Sequence, residues 1–277
     1  MSQLVKTASL GLAFALIAPV HAEALRISSG SKGLTYSSVY TKNLLAMAQE
    51  QQLDAQELFS AGSQQNIERI LAGQADIGFT QADILALYLD KHPQASQKIG
   101  LGGELTSECV YLVASKQSHL KDEDDIGQNT KLAIGEKGSG SVGSWQYLVR
   151  LEDDYREASV YYEGGLSALT KVISGQYDGF VWVSAPNQDN KYLQAINANA
   201  DKLRMISLDD YSLNNKLPNG KSVYDFQKST YNTQGLFDKE VVAPCTSTLI
   251  IGDATNQTAM EFIQEATLIN KQRILSK

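Results

Sequence analysis

The sequence contains little histidine: only three of its 277 residues are histidines. His21 lies in an N-terminal segment that we expect to be removed, so the working chain keeps only His92 and His119. Both lie in polar, loop-like surroundings, and neither has neighbouring acid–base partners. Two separated histidines are too few for a zinc motif. The shortage argues against a metal centre and against a histidine-assisted hydrolase.

The sequence also lacks an excess of positive charge, since its formal net charge is −7. A nucleic-acid groove needs a basic face, so we expect no nucleic-acid partner. The acidic runs at 122–125 and 152–154 lack the alternating ligand frame of a calcium loop. They are interpreted as solvated surface turns, and no metal site or cofactor is expected.

No apolar run reaches the length of about 20 residues that a membrane-spanning helix needs. The first 22 residues instead carry one early charge, Lys6, then an apolar run from Ala8 to Ile17, and end in Val20-His21-Ala22. This pattern predicts a secretory signal that is cleaved after Ala22. An N-terminal membrane anchor is the alternative.

Cysteine is scarce as well, with one residue at position 109 and one at position 245. An even count in an exported chain permits one disulfide bond between Cys109 and Cys245. Two buried free thiols remain the alternative at this point.

The chain contains an internal repeat. The segment "AGSQQNIERILAGQADIGFTQ" (61–81) resembles "EGGLSALTKVISGQYDGFVWV" (163–183) at an offset of 102 residues. Each copy is predicted to form a glycine turn, a short amphipathic helix that ends at a glycine, and a buried strand. In the first copy, Ser63 is expected to cap the helix.

The loop that precedes each copy is repeated too. "SGSKGLTYSS" follows Leu25-Arg26-Ile27, and "IGEKGSGSVGS" follows Leu132-Ala133-Ile134. In both places a strand runs into a Gly-Lys-Gly turn that opens a helix. Each half of the chain is therefore predicted to be an α/β unit of parallel strands covered by helices.

Two such units predict a two-lobed α/β fold with a ligand cleft between the lobes, because both glycine loops leave the carboxyl ends of strands. Lobe 1 is predicted to comprise residues 25–110 and 245–277, and lobe 2 residues 116–241. Two connecting strands, at about 107–116 and 241–252, would join the lobes, and they carry the two cysteines. If these strands lie side by side, the disulfide bond is geometrically possible.

The glycine loops do not fit the common catalytic motifs. A phosphate loop needs a lysine directly after its second glycine, whereas Lys32 and Lys137 precede theirs. Neither Ser139 nor Ser141 lies in the frame of a serine nucleophile elbow. A glycine loop that opens a helix does present backbone N–H groups and the positive end of the helix dipole, which favour a small anion. The hydroxyl groups nearby would add donors or serve only as helix caps.

These motifs resemble the TAXI family of TRAP-transporter solute receptors, which are periplasmic proteins with a two-lobed, type II binding-protein fold. The family's opening loop, its middle motif, its second glycine loop and a late motif correspond to four stretches of this sequence. The matching residues are Gly30, Ser31, Gly33, Thr35 and Tyr36; Gly62, Ser63, Asn66, Gly73, Asp76, Gln81 and Asp83; Gly135, Gly138, Ser139, Gly140 and Ser141; and Ser184 and Pro186. The sequence departs from the family pattern at Ser37, where an aromatic residue is usual, and at the two loop lysines.

The resemblance implies a non-enzymatic, monomeric periplasmic receptor. It would capture a small carboxylate, such as glutamate, another acidic amino acid or a dicarboxylate, by closing its cleft, and would deliver it to a membrane permease. A receptor for an ABC transporter or a sensor, and less so a secreted enzyme, are the alternatives. The expected ligand-binding residues are Gly30, Ser31, Gly33, Thr35, Tyr36, Gly62, Ser63, Gln81, Asp83, Gly138, Ser139, Gly140, Ser141, Trp182 and Ser184. Tyr36, Tyr161 and Trp182 could form an apolar wall, with Trp182 equally open to a place in the core.

Overall fold

Strands and helices alternate along the chain in the computed structural model, which describes residues 23–186, 191–214, 216, 222–231 and 239–276. The predicted signal segment lies outside the described residues. The strands are β1 (Leu25–Ser28), β2 (Ala55–Leu58), β3 (Ile77–Gln81), β4 (Ile99–Ser115), β5 (Lys131–Ala133), β6 (Ser159–Tyr161), β7 (Gly179–Ser184), β8 (Leu203–Ile206), β9 (Asp225–Tyr231) and β10 (Lys239–Asp253). The helices are α1 (Lys42–Glu50), α2 (Ser63–Leu71), α3 (Ala82–Lys91), α4 (Gly140–Leu151), α5 (Gly165–Ile173), α6 (Lys191–Ala198), α7 (Gln257–Leu268) and α8 (Lys271–Leu275).

The strands form one sheet with the order β2-β1-β3-β10-β4-β7-β5-β6, to which β8 adds beside β4 and β9 beside β10. In the first half, β1 runs parallel to β2 and β3. In the second half, β5 runs parallel to β6 and β7. The predicted arrangement of two α/β units with parallel strands is therefore confirmed.

The strands β4 and β10 run through both halves of the sheet. They pair antiparallel with each other, β10 also pairs with β3 of the first unit, and β4 also pairs with β7 of the second. Cys109 and Cys245 lie directly opposite each other in this pairing and form a disulfide bond that spans 136 residues of sequence. Of the two alternatives for the cysteines, the bond is confirmed.

The strand β4 begins at Ile99, well before the position 107 expected from sequence. The added segment contains three glycines, which allow close packing against α7. A Cβ atom at Gly102 would lie 2.6 Å from Ile263 Cδ1, and one at Gly103 would lie 2.8 Å from Thr267 Oγ1. Only glycine lets the helix lie this close to the strand.

The repeat in sequence is also a repeat in geometry. The carboxylate of Asp76 accepts a hydrogen bond from the backbone N–H of Arg26, and that of Asp178 accepts one from Lys131, each at 2.8 Å. In both copies this bond ties the start of the last parallel strand to the first one. The helix stop Gly73 has φ +68° and its counterpart Gly175 has φ +75°, as a left-handed helix end requires.

Apolar side chains cover both faces of the sheet in each half. Two clusters lie in the first half, around Leu44 and Phe79 and around Ile67 and Ile70. Two more lie in the second half. Within the described part of the chain, no helix is long and apolar enough to cross a membrane.

Two local expectations are wrong. Ser63 does not cap α2, whose N-cap is Gly62, because the Ser63 hydroxyl donates to Gln81 instead. The acidic run 122–125 is not wholly a solvated turn: Glu123 is buried and accepts hydrogen bonds from the Tyr155 hydroxyl and the Asp209 backbone N–H. Hydrogen-bond partners brought by distant segments override the local preference in both cases.

Candidate functional site

The carboxyl ends of the parallel strands of both units lie at one place between the two halves of the molecule. The loops after β1 and β5 and the turns before α2 and α5 meet there. The helices α2 and α4 begin at this place, so their first turns present backbone N–H groups that have no intrahelical partner. Unpartnered N–H groups and the positive end of the helix dipole are features that favour a small anion.

The two halves touch at their glycines. A Cβ atom on Gly62 would lie 3.3 Å from the Gly138 carbonyl oxygen and 3.7 Å from the Ser139 Cα atom. A Cβ atom on Gly138 would lie 3.0 Å from the Ala61 Cβ atom. Larger side chains at these positions would hold the two loops apart.

The side chain of Gln81, in the first half, also contacts the glycine loop of the second half. It is buried at the end of β3, and its side chain fills the space that a Cβ atom on Gly140 would need. The Ser63 hydroxyl donates to Gln81 Oε1 at 2.9 Å. Three expected ligand-binding residues, Ser63, Gln81 and Gly140, are therefore neighbours at the lobe boundary.

Asn66 organises the cleft side of the first unit. Its carboxamide oxygen accepts from the hydroxyls of Ser28 and Ser60, each at 2.7 Å, and its NH2 group donates to the carbonyls of Ser29 and Phe79, each at 2.8 Å. All four bonds are buried, so one side chain holds three separate loop and strand ends together. Asn66 belongs to the family motif in sequence, but only the structure assigns it this role.

The loop after β1 is more exposed than the corresponding loop after β5 in the second unit. Ser31, Gly33 and Thr35 are exposed, and the Thr35 hydroxyl makes no capping hydrogen bond. Gly33 has φ +83° and no atom within 4 Å of a built Cβ. The following turn, Tyr36–Thr41, is a π-helical turn before α1, a feature often found at functional sites.

The second unit contributes its own polar groups. Ser139 caps α4 by accepting from the Val142 N–H at 3.4 Å, as one of the alternatives for the loop serines had it. Ser141 Oγ accepts from the Val183 N–H at 3.0 Å and so ties the loop to the end of β7. Trp182 Nε1 donates to Ser184 Oγ at 3.2 Å.

Trp182 occupies the core, one of the two places that the sequence left open for it. Its side chain is 2% exposed and stacks between Tyr111 and Phe180, with ring centroids 5.2 Å and 5.5 Å away. Tyr161 is exposed and packs against Tyr177. The core position of Trp182 leaves the cleft wall to other residues.

The sequence did not indicate the half-buried acidic residue Glu108, which lies where β4 pairs with β10 between the lobes. Glu108, on β4 next to the disulfide, accepts a hydrogen bond from the Tyr36 hydroxyl at 3.1 Å. Burial, together with the nearby Asp83, raises the pKa of Glu108 to about 7. No local sequence signal marked it, since a lone glutamate in a strand has many ordinary explanations.

Asp83 is fully buried at the start of α3, and burial raises the pKa of its carboxyl group. The Tyr224 hydroxyl donates to it at 2.9 Å, and its own backbone N–H donates to Thr246 Oγ1 at 3.3 Å. These bonds connect the first unit with β10 and with the segment before β9. The expected ligand residue Asp83 thus makes contacts that also fix the relative position of the elements around it.

The positively charged side chains near the cleft either donate hydrogen bonds to protein groups or are exposed to solvent. The Arg69 guanidinium donates to the carbonyl oxygen of Phe59 and to the hydroxyl of Ser28. Lys32 and Lys137 are exposed, and Lys137 Nζ lies 5.1 Å from the centre of the Tyr162 ring. Among the described residues, no group of three or more metal-binding side chains is found.

Comparison with solved structures places the fold among two-lobed ligand-binding proteins. The GluR0 ligand-binding core from Nostoc punctiforme, in complex with L-glutamate, has a TM-score of 0.52 and 11% identity, covering 91% of each chain. A mutant of arginine-bound ArgBP from T. maritima has a TM-score of 0.50 and 11% identity, covering 91% of this chain and 96% of that one. The periplasmic VFT2 domain of Bordetella pertussis BvgS has a TM-score of 0.50 and 12% identity, covering 91% and 90%.

The particular family follows from sequence. Residues 27–234 match the model of the NMT1-like family, and the chain belongs to that family. A comparison with curated proteins finds no match. The expected two-lobed α/β fold is thereby confirmed, whereas the structural relatives share too little sequence to carry over a ligand.

Proposed function

We propose that the chain is an extracytoplasmic solute receptor that captures a small carboxylate between its lobes. One observation carries the proposal: the glycine turn before α2 of the first unit meets the glycine loop of the second unit, with Gly62 against Gly138 and Ser139 at the start of α4. Helix N-termini and glycine backbone favour a small anion at such a place. Relatives of the same fold are bound to L-glutamate and to arginine.

The partner in this proposal is the membrane permease of a TRAP-type transporter, as the resemblance to the TAXI family implies. The ligand must bind the closed form more tightly than the open one, because otherwise it would not shift the equilibrium between them. Lobe 1 would comprise residues 25–110 and 245–277, and lobe 2 residues 116–241. The receptor works as a monomer and catalyses no reaction.

The resemblance of the fold to the BvgS VFT2 domain favours a second candidate, a receptor domain that serves a sensor. The two candidates share the ligand site and differ in the partner. Reconstitution of the permease in proteoliposomes separates them: uptake of the ligand only in the presence of this receptor supports the transport function, and no uptake supports the sensor function.

Thermal-shift screening of the mature chain, residues 23–277, against amino acids and mono- and dicarboxylates tests the ligand class. A ligand at about 100 times its dissociation constant stabilises the folded state by roughly 2.7 kcal/mol. We expect at least one small carboxylate to raise the melting temperature and isothermal titration to give a one-to-one complex. Stabilisation by uncharged sugars alone would contradict the proposal.

A further inference from the structure

Glu108 lies on β4, in the part of the sheet where β4 pairs with β10 between the lobes. It is opposite Thr246 in the β4–β10 pairing and one residue before the disulfide-bonded Cys109. Successive side chains of a strand point to opposite faces, so Glu108 points away from the disulfide, toward Tyr36 of the first glycine loop. The carboxylate therefore lies beside Tyr36, one of the residues expected to bind the ligand.

The surroundings of Glu108 contain acids and hydroxyls but no cation. The Tyr36 and Thr248 hydroxyls donate toward it, and its acidic neighbour is Asp83. Within the described residues no lysine or arginine forms an ion pair with either carboxylate. Asp83 accepts hydrogen bonds from the Tyr224 hydroxyl and the Ile84 N–H, and the Ser144 hydroxyl lies against it. Glu108 remains half-buried, with acceptor capacity left over.

A second observation marks the same place. Thr248 on β10 is fully buried, and its hydroxyl lies close enough to Glu108 to lower the pKa of that carboxyl group as a hydrogen-bond donor. The buried Ser144 hydroxyl stands in the same relation to Asp83. Both carboxyl groups therefore have hydroxyl donors around them and no cationic partner among the described residues.

A carboxylate that is partly withdrawn from water without a counter-ion is costly, and a cationic group that binds to it recovers that cost. A dicarboxylate would add further negative charge beside Glu108 and Asp83. An amino acid instead offers both signs: a carboxylate for the glycine loops and an ammonium group for Glu108.

We infer that Glu108 binds the ammonium group of an amino-acid ligand and so selects amino acids over carboxylates that lack this group. The inference rests on the proposed function and narrows its ligand class. Glu108 acts as a specificity-determining residue, with Tyr36 orienting its carboxylate and Thr248 supplying a further hydrogen-bonding group.

The test compares ligands that differ only in the amino group: L-glutamate with glutarate, L-aspartate with succinate, and L-phenylalanine with phenylpropanoate. Titration calorimetry is run on the mature chain and on the Glu108→Gln variant. For the best-binding pair, we expect the amino acid to bind the unaltered chain at least tenfold more tightly than its partner. In Glu108→Gln this ratio should fall at least tenfold, mainly through weaker binding of the amino acid.

The matched control is Glu123→Gln. Glu123 is buried with a pKa near 7, like Glu108, but its partners are Tyr155 and Asp209 of the second unit. The same change there should leave the ligand ratio unchanged, and circular dichroism and urea unfolding confirm that both variants are folded. A lowered ratio in both variants would assign the effect to general loss of structure and overturn the inference.

The inference about Glu108 and the proposed ligand class would be overturned by different results. If the deaminated partners bind as tightly as the amino acids, or if Glu108→Gln keeps the ratio, the inference is overturned while the carboxylate receptor stands. If no member of any pair binds, both the inference and the proposed ligand class are overturned.

Discussion

The two α/β units have the same scaffold but bring different chemistry to the cleft. At the offset of 102 residues that relates them, Asn66 corresponds to Ala168 and Gln81 to Val183. The first unit thus presents buried carboxamide side chains, whereas the second presents the backbone and the serine hydroxyls of its glycine loop. The difference shows that a duplicated fold does not imply a duplicated site, because strand ends are shared while the side chains on them are not.

The units also hold their cleft ends together in different ways. In the first unit Asn66 binds four groups from three loop and strand ends. In the second unit Glu163 accepts from the Lys171 ammonium and the Tyr177 hydroxyl near the surface, and these bonds hold the pKa of Glu163 down at about 2. Buried networks are costly to break and exposed ion pairs are not, so we expect the first unit to be the more rigid at the cleft.

The largest expected effect comes from the bond that joins the strands common to both units. Reduction, or replacement of both cysteines by serine, should lower the free energy of unfolding by about 4 kcal/mol, since the bond closes a loop of 136 residues in the unfolded chain. Urea unfolding with and without a reducing agent measures this. Equal midpoints in both conditions would contradict the prediction.

The next largest effect tests the buried hydrogen-bond network that Asn66 forms in the first unit. Asn66→Ala should lower the free energy of unfolding by about 3 kcal/mol, because it leaves buried hydroxyl and carbonyl groups without partners. Gln64→Ala on the same helix is the control, since Gln64 bonds only to Glu68 on an exposed face, and it should change stability by less than about 0.5 kcal/mol. Similar losses in both variants would show that the Asn66 network does not hold the cleft.

A smaller effect compares the two glycine loops. Gly33 and Gly138 have nearly equal φ values, +83° and +82°, so alanine should cost each about 1 kcal/mol of backbone strain. Only Gly138 faces the other lobe, with a Cβ atom that would lie 3.0 Å from the Ala61 Cβ. We expect Gly138→Ala to weaken binding of the best carboxylate about tenfold and Gly33→Ala to change it little. Calorimetry that gives equal losses would contradict a role for the lobe contact in closure.

The smallest effect is the pH response of the second unit. Burial, and then the nearby Asp209 and Asp210, raise the pKa of Glu123 to about 7 from 4.5. The folded state therefore holds a proton that the unfolded state releases, so stability falls as the pH rises from about 4.5 to 7. Glu123→Gln should remove on the order of 1 kcal/mol of this fall. Melting temperatures at pH 5 and pH 8 measure it, and an unchanged difference between them would refute the assignment.

Much of the fold was predictable from sequence because glycine stops, apolar stripes and buried strands are local patterns. The repeat then fixed the number of units and the place of the cleft. The start of β4 was not predicted, since glycine is uncommon in strands and only the helix packed on Gly102 and Gly103 explains their presence. The role of Ser63 was missed for a similar reason, because its partner Gln81 lies in another element.

The sequence by itself determined two α/β units, two glycine loops at strand ends and a pair of cysteines on two connecting segments. These features follow from backbone preferences and side-chain periodicity within short stretches of chain. Only the tertiary structure decided that the cysteines are bonded, that Trp182 lies in the core and that Glu108 stands beside the glycine loop. Each of these depends on residues far apart in sequence, whose contacts arise when β4 and β10 pair across both halves.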